Sequence, residues 1–352
     1  MGDQFPSFKI AAVQAAPVFL DREATTEKAC QLIREAAAKG ARIVGFPEGF
    51  IPAHPIWFHF HPSTDKISTQ LSVALFKNSV EIPGPQIAQL CQVAKETKTY
   101  VVMGVCERNP GTMGTMYNTQ VFIGADGSVL GKHQKIMPTT GEKLVHTGGY
   151  GDTLRTFPTE FGPISGLICG ENTNPLAIFA LIAEFTRIHI ASWPSNFTLI
   201  SHPMRERMSF TAKAFAEMSK AYVISCCALA DERTIKMLQL TNDQEKYFHI
   251  PENTGGSLIV APDAEIIAGP LGNEEAILYA DVDLNLIIKR KLRQDFAGHY
   301  NRPDIFQLKI NRTVPSIYNQ EEQPDDHKNF QNALKVNQQF TDASNDTEPG
   351  FH

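Results

Sequence analysis

Predicted strands and helices alternate along most of this chain, and this alternation restricts its fold more than any other feature of the sequence. Short apolar runs predict strands at residues 9–13, 42–46, 100–106, 118–122, 129–132, 164–169, 188–193, 222–227 and 276–282. Helical periodicity predicts helices at residues 24–39, 85–97, 175–187 and 204–220. Together with hairpins at 125–127 and 257–268, this order indicates one α/β domain with a mixed sheet or sheets. The periodicity alone does not distinguish a doubly wound sheet from two facing sheets.

The chain becomes polar beyond Asn311. We therefore expect residues 1–310 to form the folded domain and residues 311–352 to form a polar C-terminal tail, partly disordered or at subunit contacts. Disorder is expected most strongly for residues 341–352. No second domain and no internal repeat is predicted.

The composition argues against several classes of protein. Of the 352 residues, 42% are hydrophobic and 20% are charged, which is typical of a folded globular chain. The net charge of −6 and the lack of a long basic run argue against nucleic-acid binding. No apolar stretch approaches the roughly 20 residues that span a bilayer, so no membrane association is expected. The N-terminal residues do not resemble a secretory signal, and we expect a cytoplasmic location.

Six cysteines in a chain of this length do not indicate a disulfide scaffold. Five of them lie in helical or strand-like apolar patterns and are interpreted as small buried hydrophobic residues. Cys169 differs, because it follows an apolar run and precedes a sequence that begins a helix. The positive end of that helix is expected to lower the pKa of the thiol. Cys169 is therefore the candidate nucleophile.

Two charged residues also follow predicted strands: Glu48 in the segment Phe-Pro-Glu, and Lys135 in the segment Lys-His-Gln-Lys-Ile-Met-Pro. Sites of α/β sheets lie beyond strand ends, so we expect these side chains and the thiol to lie together. A thiolate can attack a weakly electrophilic nitrile carbon, a carboxylate can take its proton, and an ammonium can stabilise the developing anion. The alternative is an ordinary surface ion pair and an inert cysteine.

The motifs and their order resemble those of the nitrilase superfamily, and within it the true nitrilases, over residues 9–306. In that family the base lies in Phe-Pro-Glu, matched by Glu48, and a lysine lies in Lys-His-x-Lys-x-x-Pro-Thr, matched by Lys135. A second glutamate lies in a Glu-Lys-Leu-Val motif, matched by Glu142, and the nucleophile opens Cys-x-Glu-Asn-x-x-Pro, matched by Cys169. The segment Gly-His-Tyr-Asn-Arg-Pro-Asp at 298–304 is typical of nitrilases proper. One departure is Gly170, which stands where most nitrilases carry tryptophan.

The resemblance implies a single-domain α-β-β-α sandwich of four layers, with two sheets face to face and helices outside. It implies that a nitrile is hydrolysed to a carboxylic acid and ammonia through a thioimidate and a thioester on the cysteine, without a metal or other cofactor. By resemblance, Glu142 orients the lysine or shares protons with Glu48. The candidate substrate-binding residues are Trp57, Gly170, Asn172 and Trp193. Dimers through helices beside the active site, here 175–187, and spirals through C-terminal segments are also implied.

Other functions stay open from the residues alone. A cyanide hydratase or an aliphatic amidase uses the same three catalytic residue types, and a non-catalytic binding protein that retains the fold is the alternative from another class. A metal-dependent hydrolase is suggested by a cluster of histidines, namely His54, His59 and His61. The later sequence offers no convincing further ligands, so no metal site is predicted. Trp57, within this cluster, suits a pocket wall or the core, and Glu171 suits a hydrogen bond to its own turn as well as catalysis.

Overall fold

The fold is seen in a computed structural model, which describes residues 2–195, 204–250, 254–316 and 318. The strands are β1 (Phe8–Gln14), β2 (Ala41–Gly45), β3 (Tyr100–Arg108), β4 (Met116–Ile123), β5 (Val129–Gln134), β6 (Ile164–Ile168), β7 (Ile188–Trp193), β8 (Tyr222–Cys227), β9 (Leu258–Val260), β10 (Ile266–Ala268) and β11 (Ala276–Val282). They form a six-stranded sheet in the order β11-β1-β2-β3-β4-β5 and a five-stranded sheet in the order β10-β9-β8-β7-β6.

The helices connect these strands. They are α1 (Arg22–Ala38), α2 (Lys66–Asn78), α3 (Pro85–Thr97), α4 (Pro175–Ala183), α5 (Met204–Ser219), α6 (Glu232–Leu238), α7 (Asn242–Phe248) and α8 (Leu284–Lys291). Asp21 caps α1, because its side chain accepts a hydrogen bond from the Ala24 N–H. Pro85 begins α3 at a position where a backbone N–H is not needed.

Three apolar layers hold the sheets and helices together. The layer between the sheets includes Ile10, Ile43 and Val102 from the first sheet with Ile190 and Ile224 from the second. The layer that joins α1 and α3 to the first sheet includes Ile33, Leu90, Val44 and Val101. The layer that joins α4 and α5 to the second sheet includes Leu181, Phe215, Leu167 and Val223. The predicted α-β-β-α sandwich is therefore confirmed.

Two glycines allow the sheets to approach each other closely. A Cβ atom at Gly45 would lie 3.0 Å from Cys226 Sγ, and one at Gly166 would lie 2.3 Å from Gln120 Oε1. Protein interiors are close-packed, so a larger residue at either position would displace the side chain opposite it.

The direction of the strands brings the candidate residues to one edge. Strands β1, β2 and β3 are mutually parallel, and so are β6, β7 and β8. Strand β5 is antiparallel to β4, which is antiparallel to β3, so β5 ends at the same edge as β3. Glu48 follows β2, Lys135 follows β5 and Cys169 follows β6.

Several predicted boundaries are wrong. The strand predicted at 164–169 ends at Ile168, because Cys169 has a φ of +52°, which is incompatible with an extended strand. The helix predicted at 175–187 ends at Ala183, and Phe185 has a φ of +61°. Helices α2, α6, α7 and α8 were not predicted. Two of these, α6 and α7, have seven residues each and so show too few turns for a clear periodicity.

The chain divides into a compact unit, Met1–Thr313, and a second unit, Val314–His352. Only residues 314–316 and 318 of the second unit are described, so most of the predicted tail, including 341–352, lies outside the described residues. Among the helices of the described segments, none combines the length and apolar character that a bilayer span requires.

Candidate active site

Glu48 lies just beyond β2 and is buried. Its backbone N–H donates a 3.1 Å hydrogen bond to the carbonyl oxygen of Trp193, the last residue of β7. This bond joins the end of a strand in the first sheet to the end of a strand in the second. The side chain of Glu48 is thereby fixed at the edge where both sheets end.

Lys135 is the residue directly after β5, and its side chain is buried. Its Nζ donates a 2.8 Å hydrogen bond to Glu48 Oε1 and a 2.6 Å hydrogen bond to Glu142 Oε2. Glu142 lies in a short 3-10 helix, Thr140–Leu144, where its Oε2 also accepts a 2.9 Å hydrogen bond from the Thr139 N–H. The structure therefore brings these three predicted residues together in one buried cluster.

Asn118, in the buried strand β4, links the same two carboxylates and was not predicted as a site residue. Its Nδ2 donates to Glu48 Oε1 at 2.6 Å and to Glu142 Oε1 at 2.7 Å. Three consecutive polar residues, Asn118, Thr119 and Gln120, lie in the middle of this strand and were the available signal. That signal alone does not identify the two glutamates, which lie 70 and 24 residues away in the sequence.

Two histidines complete the surroundings of the glutamates. His146 Nδ1 lies 3.1 Å from Glu142 Oε1, and His54 Nδ1 lies 3.5 Å from Glu48 Oε1. Burial lowers the pKa of His54 well below its usual range, so this imidazole is neutral near pH 7. His146 was not predicted, and His54 was considered only as a metal ligand.

The two carboxylates of the cluster differ in protonation. Burial raises the pKa of Glu48 to about 7 against the opposing effect of Lys135, and the charge of Glu142 adds to the rise. For Glu142, Lys135 and the hydrogen bond from His146 outweigh burial and hold its pKa well below the usual range. Burial also opposes the charge of Lys135, but Glu48, Cys169 and Glu142 together raise its pKa. Near neutral pH, Glu48 is therefore the group that can take up and release a proton.

Cys169 follows β6 and opens a 3-10 helix, Cys169–Thr173, that precedes α4. Its φ of +52° is uncommon for a residue other than glycine and turns the chain sharply at the strand end. The side chain of Asn174 accepts hydrogen bonds from the N–H groups of Leu176 and Ala177, so another residue already caps α4. The candidate nucleophile therefore lies one 3-10 turn away from the helix that was expected to activate it.

The expected lowering of the Cys169 pKa is wrong. Burial raises the pKa of this thiol, and Glu48 and Glu142 raise it further, whereas Lys135 and a hydrogen bond from the Gly170 N–H lower it. The balance keeps the thiol protonated at rest. A base is therefore needed to remove this proton before the thiol can act as a nucleophile, and the charge of Glu48 acts on the thiol.

One group of potential metal ligands occurs in the described residues, and it coincides with this cluster. Donor atoms of Glu48, His54 and Glu142 lie within 4.8 Å of one another. The Lys135 ammonium already bonds to both carboxylates, and its positive charge opposes a divalent cation at the same place. His61, from the same sequence cluster, pairs through Nε2 with the Leu238 carbonyl oxygen at 2.6 Å. The arrangement thus suits an internal cation better than a metal.

Two of the four candidate substrate-binding residues lie in the turn that carries Cys169. Gly170 is exposed, and a Cβ atom there would meet only Thr139 Oγ1, at 3.7 Å. Asn172 is buried, and its Nδ2 donates to the carbonyl oxygens of Leu167 and Cys169 at 3.1 and 3.0 Å. The Oδ1 of Asn172 pairs with His189 Nε2 at 2.8 Å. These contacts favour a role for Asn172 in holding the turn.

The other two candidates are buried tryptophans. Trp57 packs edge-on against Phe19, with ring centroids 6.4 Å apart, and Trp193 ends β7. Among the described residues, neither indole N–H has a hydrogen-bond partner. A small cavity of about 10 Å³ is lined by Glu48 and His54, and also by Phe19 and Ser195. Residues 196–203, which follow Trp193 and Ser195, lie outside the described residues.

The chain is similar to known proteins over most of its length. The family model described as carbon-nitrogen hydrolase matches residues 9–291. A nitrilase of Bacillus sp. (strain OxB-1) is 35% identical over 311 residues, which cover 88% of this chain and 89% of that protein. An arylacetonitrilase of Aspergillus kawachii (strain NBRC 4308) is 34% identical over 316 residues, which cover 87% of this chain and 92% of that protein.

The fold is also similar to solved structures. A Saccharomyces cerevisiae protein, a member of branch 10 of the nitrilase superfamily, superposes with a TM-score of 0.63 at 22% identity. The match covers 85% of this chain and 97% of that one. At this identity the similarity establishes the fold alone.

Proposed function

This chain belongs to the carbon-nitrogen hydrolase family, and we propose that it hydrolyses an organic nitrile to the carboxylic acid and ammonia. The similarity to named nitrilases over almost nine tenths of the chain supports this activity. The observation that carries the proposal is the buried pairing of Lys135 with Glu48 beside the thiol of Cys169. In this proposal Cys169 is the nucleophile, Glu48 is the base and Lys135 is the cation.

The first half of the reaction forms a thioimidate. Because the thiol is protonated at rest, Glu48 takes its proton as Cys169 Sγ forms a bond to the nitrile carbon. One electron pair of the carbon–nitrogen triple bond moves to nitrogen, which then receives the proton from Glu48. Lys135 donates a hydrogen bond to the nitrogen while its negative charge develops.

The second half consumes two water molecules. Glu48 takes a proton from the first water as its oxygen adds to the thioimidate carbon, and passes this proton to the nitrogen. The remaining hydroxyl proton is transferred to the nitrogen in the same way, the carbon–nitrogen bond breaks, and ammonia leaves as the carbonyl group of the thioester forms. A second water, activated in the same way, releases the carboxylic acid and returns the thiol. Lys135 and the Gly170 N–H stabilise the negative charge of the tetrahedral intermediates. The protein supplies all of these groups itself, so the proposed mechanism uses no metal or other cofactor.

Gly170, Trp57 and Trp193 are the proposed substrate-binding residues, whereas Asn172, which was predicted with them, is proposed to shape the site without contacting the substrate. Gly170 contributes space beside the thiol, because only Thr139 Oγ1 lies near the position of a Cβ atom there. The tryptophans contribute apolar surface near the end of β7 and the cluster around Glu48. Asn172 acts on the substrate indirectly, through the turn that carries Cys169.

A substrate panel tests the proposed activity. Aliphatic, aromatic and arylacetonitriles, cyanide and amides are incubated with the protein, and ammonia, acid and amide are measured together. Equal amounts of ammonia and acid from at least one nitrile are the expected result. Release of amide without ammonia would instead indicate a hydratase, turnover of amides alone an amidase, and no turnover a non-catalytic protein.

We also infer self-association through α4 and α5. In α4, Ile178 and Leu181 are buried in the core, whereas Leu176 is 64% exposed. Phe185 just beyond α4 is 58% exposed, and Phe210 of α5 is 72% exposed. Burial of such large apolar side chains against a second copy would stabilise a dimer. Size-exclusion chromatography with light scattering tests this, and an active species at the 39.0 kDa mass of one chain would contradict it.

The remaining proposals concern the ends and location of the chain. We propose that residues 1–310 form the catalytic domain and that residues 311–352 form a tail at subunit contacts. Contacts through this tail would allow dimers to extend into spirals. Electron microscopy of the full chain and of a chain ending at Asn311 tests the role of the tail. The cytoplasmic location is a prediction from the sequence, and cell fractionation tests it.

A further inference from the structure

The catalytic groups come from different sheets. Glu48 and Lys135 follow strands of the first sheet, whereas Cys169 follows a strand of the second. The proposed chemistry requires the thiol to lie within proton-transfer reach of Glu48 and beside Lys135. The distance between these groups therefore depends on contacts that cross from one sheet to the other.

The Glu171 carboxylate makes such a contact beside both groups. Its Oε2 accepts a 3.1 Å hydrogen bond from the N–H of Ile168, the residue before Cys169. Its Oε1 accepts a 2.6 Å hydrogen bond from the N–H of Ile136, the residue after Lys135. One buried carboxylate thus connects the chain neighbours of the nucleophile and of the lysine.

A third contact strengthens the connection on the side of β5. His133 Nε2 lies 3.0 Å from Glu171 Oε2, and both side chains are buried. His133 belongs to β5 and lies two residues before Lys135. Glu171 is therefore bonded on both sides of Lys135 along the chain, at residues 133 and 136.

We propose that Glu171 is a positioning residue that sets the distance between Cys169 and Lys135 by bonding to both chain segments across the two sheets. This inference rests on the proposed function, in which these two groups act on one substrate atom pair. It goes beyond a hydrogen bond from Glu171 to its own turn. A hydrogen bond within the turn would involve only the Ile168 N–H, whereas Glu171 also contacts Ile136 and His133.

The Glu171→Gln substitution tests this role with little change in shape. Whichever way the amide turns, its NH₂ group faces one of the two backbone N–H donors, so one link is lost. The matched control is Thr173→Val in the same 3-10 helix, because Thr173 Oγ1 donates only to the Gly170 carbonyl oxygen. That bond does not cross to the first sheet.

The expected result for Glu171→Gln is a fall in kcat of about 100-fold with a KM within about threefold of wild type, because a displacement near 1 Å disrupts the reacting geometry. Alkylation of Cys169 by iodoacetamide, followed by peptide mass spectrometry, is expected to slow about tenfold or more. Thr173→Val is expected to stay within about twofold of wild type in both assays. Equal losses in the two variants would overturn the proposal, since disruption of the turn would then explain both.

A pH profile separates positioning from general stability. The groups that face Glu48 are Lys135, Glu142, Asn118, His54 and the thiol of Cys169. Lys135 lowers the pKa of Glu48. If Glu171→Gln lets Lys135 move away from Glu48, the pKa of Glu48 rises and the acid limb of kcat/KM moves to higher pH. The proposal is contradicted if the Glu171→Gln protein folds and its acid limb, its kcat and its rate of alkylation all equal those of the wild type.

A second variant, His133→Leu, and the alkylation assay test the role of Glu171 if Glu171→Gln does not fold or if the wild-type protein does not hydrolyse nitriles. If Glu171→Gln does not fold, His133→Leu removes one contact but leaves both backbone bonds, and a fall in kcat of about three- to tenfold is expected. Wild-type kcat in folded His133→Leu would then overturn the role. Because alkylation needs no nitrile, slow alkylation in Glu171→Gln supports the positioning role even if the wild-type protein fails to hydrolyse nitriles.

Discussion

The ammonium of Lys135 donates a 2.8 Å hydrogen bond to Glu48 Oε1 where both side chains are buried. The same ammonium donates to Glu142 at 2.6 Å, so one cation is shared by two carboxylates. Glu142 keeps its charge, whereas Glu48 has a pKa of about 7. Two identical side chains therefore differ in charge near neutral pH, and in the proposed mechanism Glu142 orients the lysine whereas Glu48 acts as the base.

The rate should depend on the ionisation of Glu48. Because only the carboxylate form can take the thiol proton, kcat/KM should rise as pH increases through about 7. The measurement is kcat/KM for one nitrile between about pH 5 and about pH 9, in which range an acid limb near 7 is expected. A limb close to the ordinary pKa of a glutamate would mean that Glu48 is not the base.

Asn118→Asp should move this acid limb to higher pH. The substitution keeps the size of the side chain but places a third carboxylate beside Glu48 and Glu142. A like charge raises the pKa of Glu48, so the limb is expected to shift upward by at least about one unit. A pH profile of kcat/KM for the two proteins checks this, and an unshifted limb would remove Asn118 from the site.

Lys135→Arg should fail almost as badly as Lys135→Ala. The buried ammonium contacts two carboxylates at short distance, and a planar guanidinium cannot occupy the same point. A loss in kcat of at least about 100-fold is expected. Lys132→Arg is the matched control, because Lys132 of β5 is 31% exposed and pairs with Glu107 outside the site. Near-normal rates for Lys135→Arg would contradict the oxyanion role.

Gly170→Trp should fold, and it should change which nitriles are accepted. A Cβ atom at this exposed position meets only Thr139 Oγ1 at 3.7 Å, so the melting temperature is expected to stay within a few degrees of wild type. The added ring fills space beside the thiol, and KM should increase more for bulky nitriles than for small ones. Gly166→Ala is the contrasting control, because its Cβ would lie 2.3 Å from Gln120 Oε1 and should lower the melting temperature. Equal KM changes for large and small nitriles would show that Gly170 does not border the substrate.

Much of the fold, and the residues proposed to be catalytic, could be predicted from local patterns. Glu48, Lys135 and Cys169 each lie in a contiguous motif at a strand end, and such a motif can be recognised in the sequence without knowledge of the fold. The strands at 188–193, 222–227 and 276–282 were predicted with their observed bounds. These features depend on residues that are near neighbours in the chain.

Features that depend on distant residues were missed. Asn118 and His146 pair with glutamates that are distant in the sequence or lie in another element, and only folding brings these side chains together. The predicted direction of the Cys169 pKa shift was wrong, because burial of the thiol outweighs the local effect of a turn or helix. The span of Glu171 from its own turn to Ile136 is likewise a property of the packed sheets and not of the motif.

The central claim is that Cys169 is the nucleophile in nitrile hydrolysis, and ammonia release by Cys169→Ala tests it most directly. The side chain is buried and the change is small, so the variant should keep its fold while its rate falls below a few per cent of wild type. Cys91→Ala, which alters a partly exposed cysteine of α3, should retain the wild-type rate. Sustained ammonia release by folded Cys169→Ala, at a rate near that of Cys91→Ala, would contradict the mechanism.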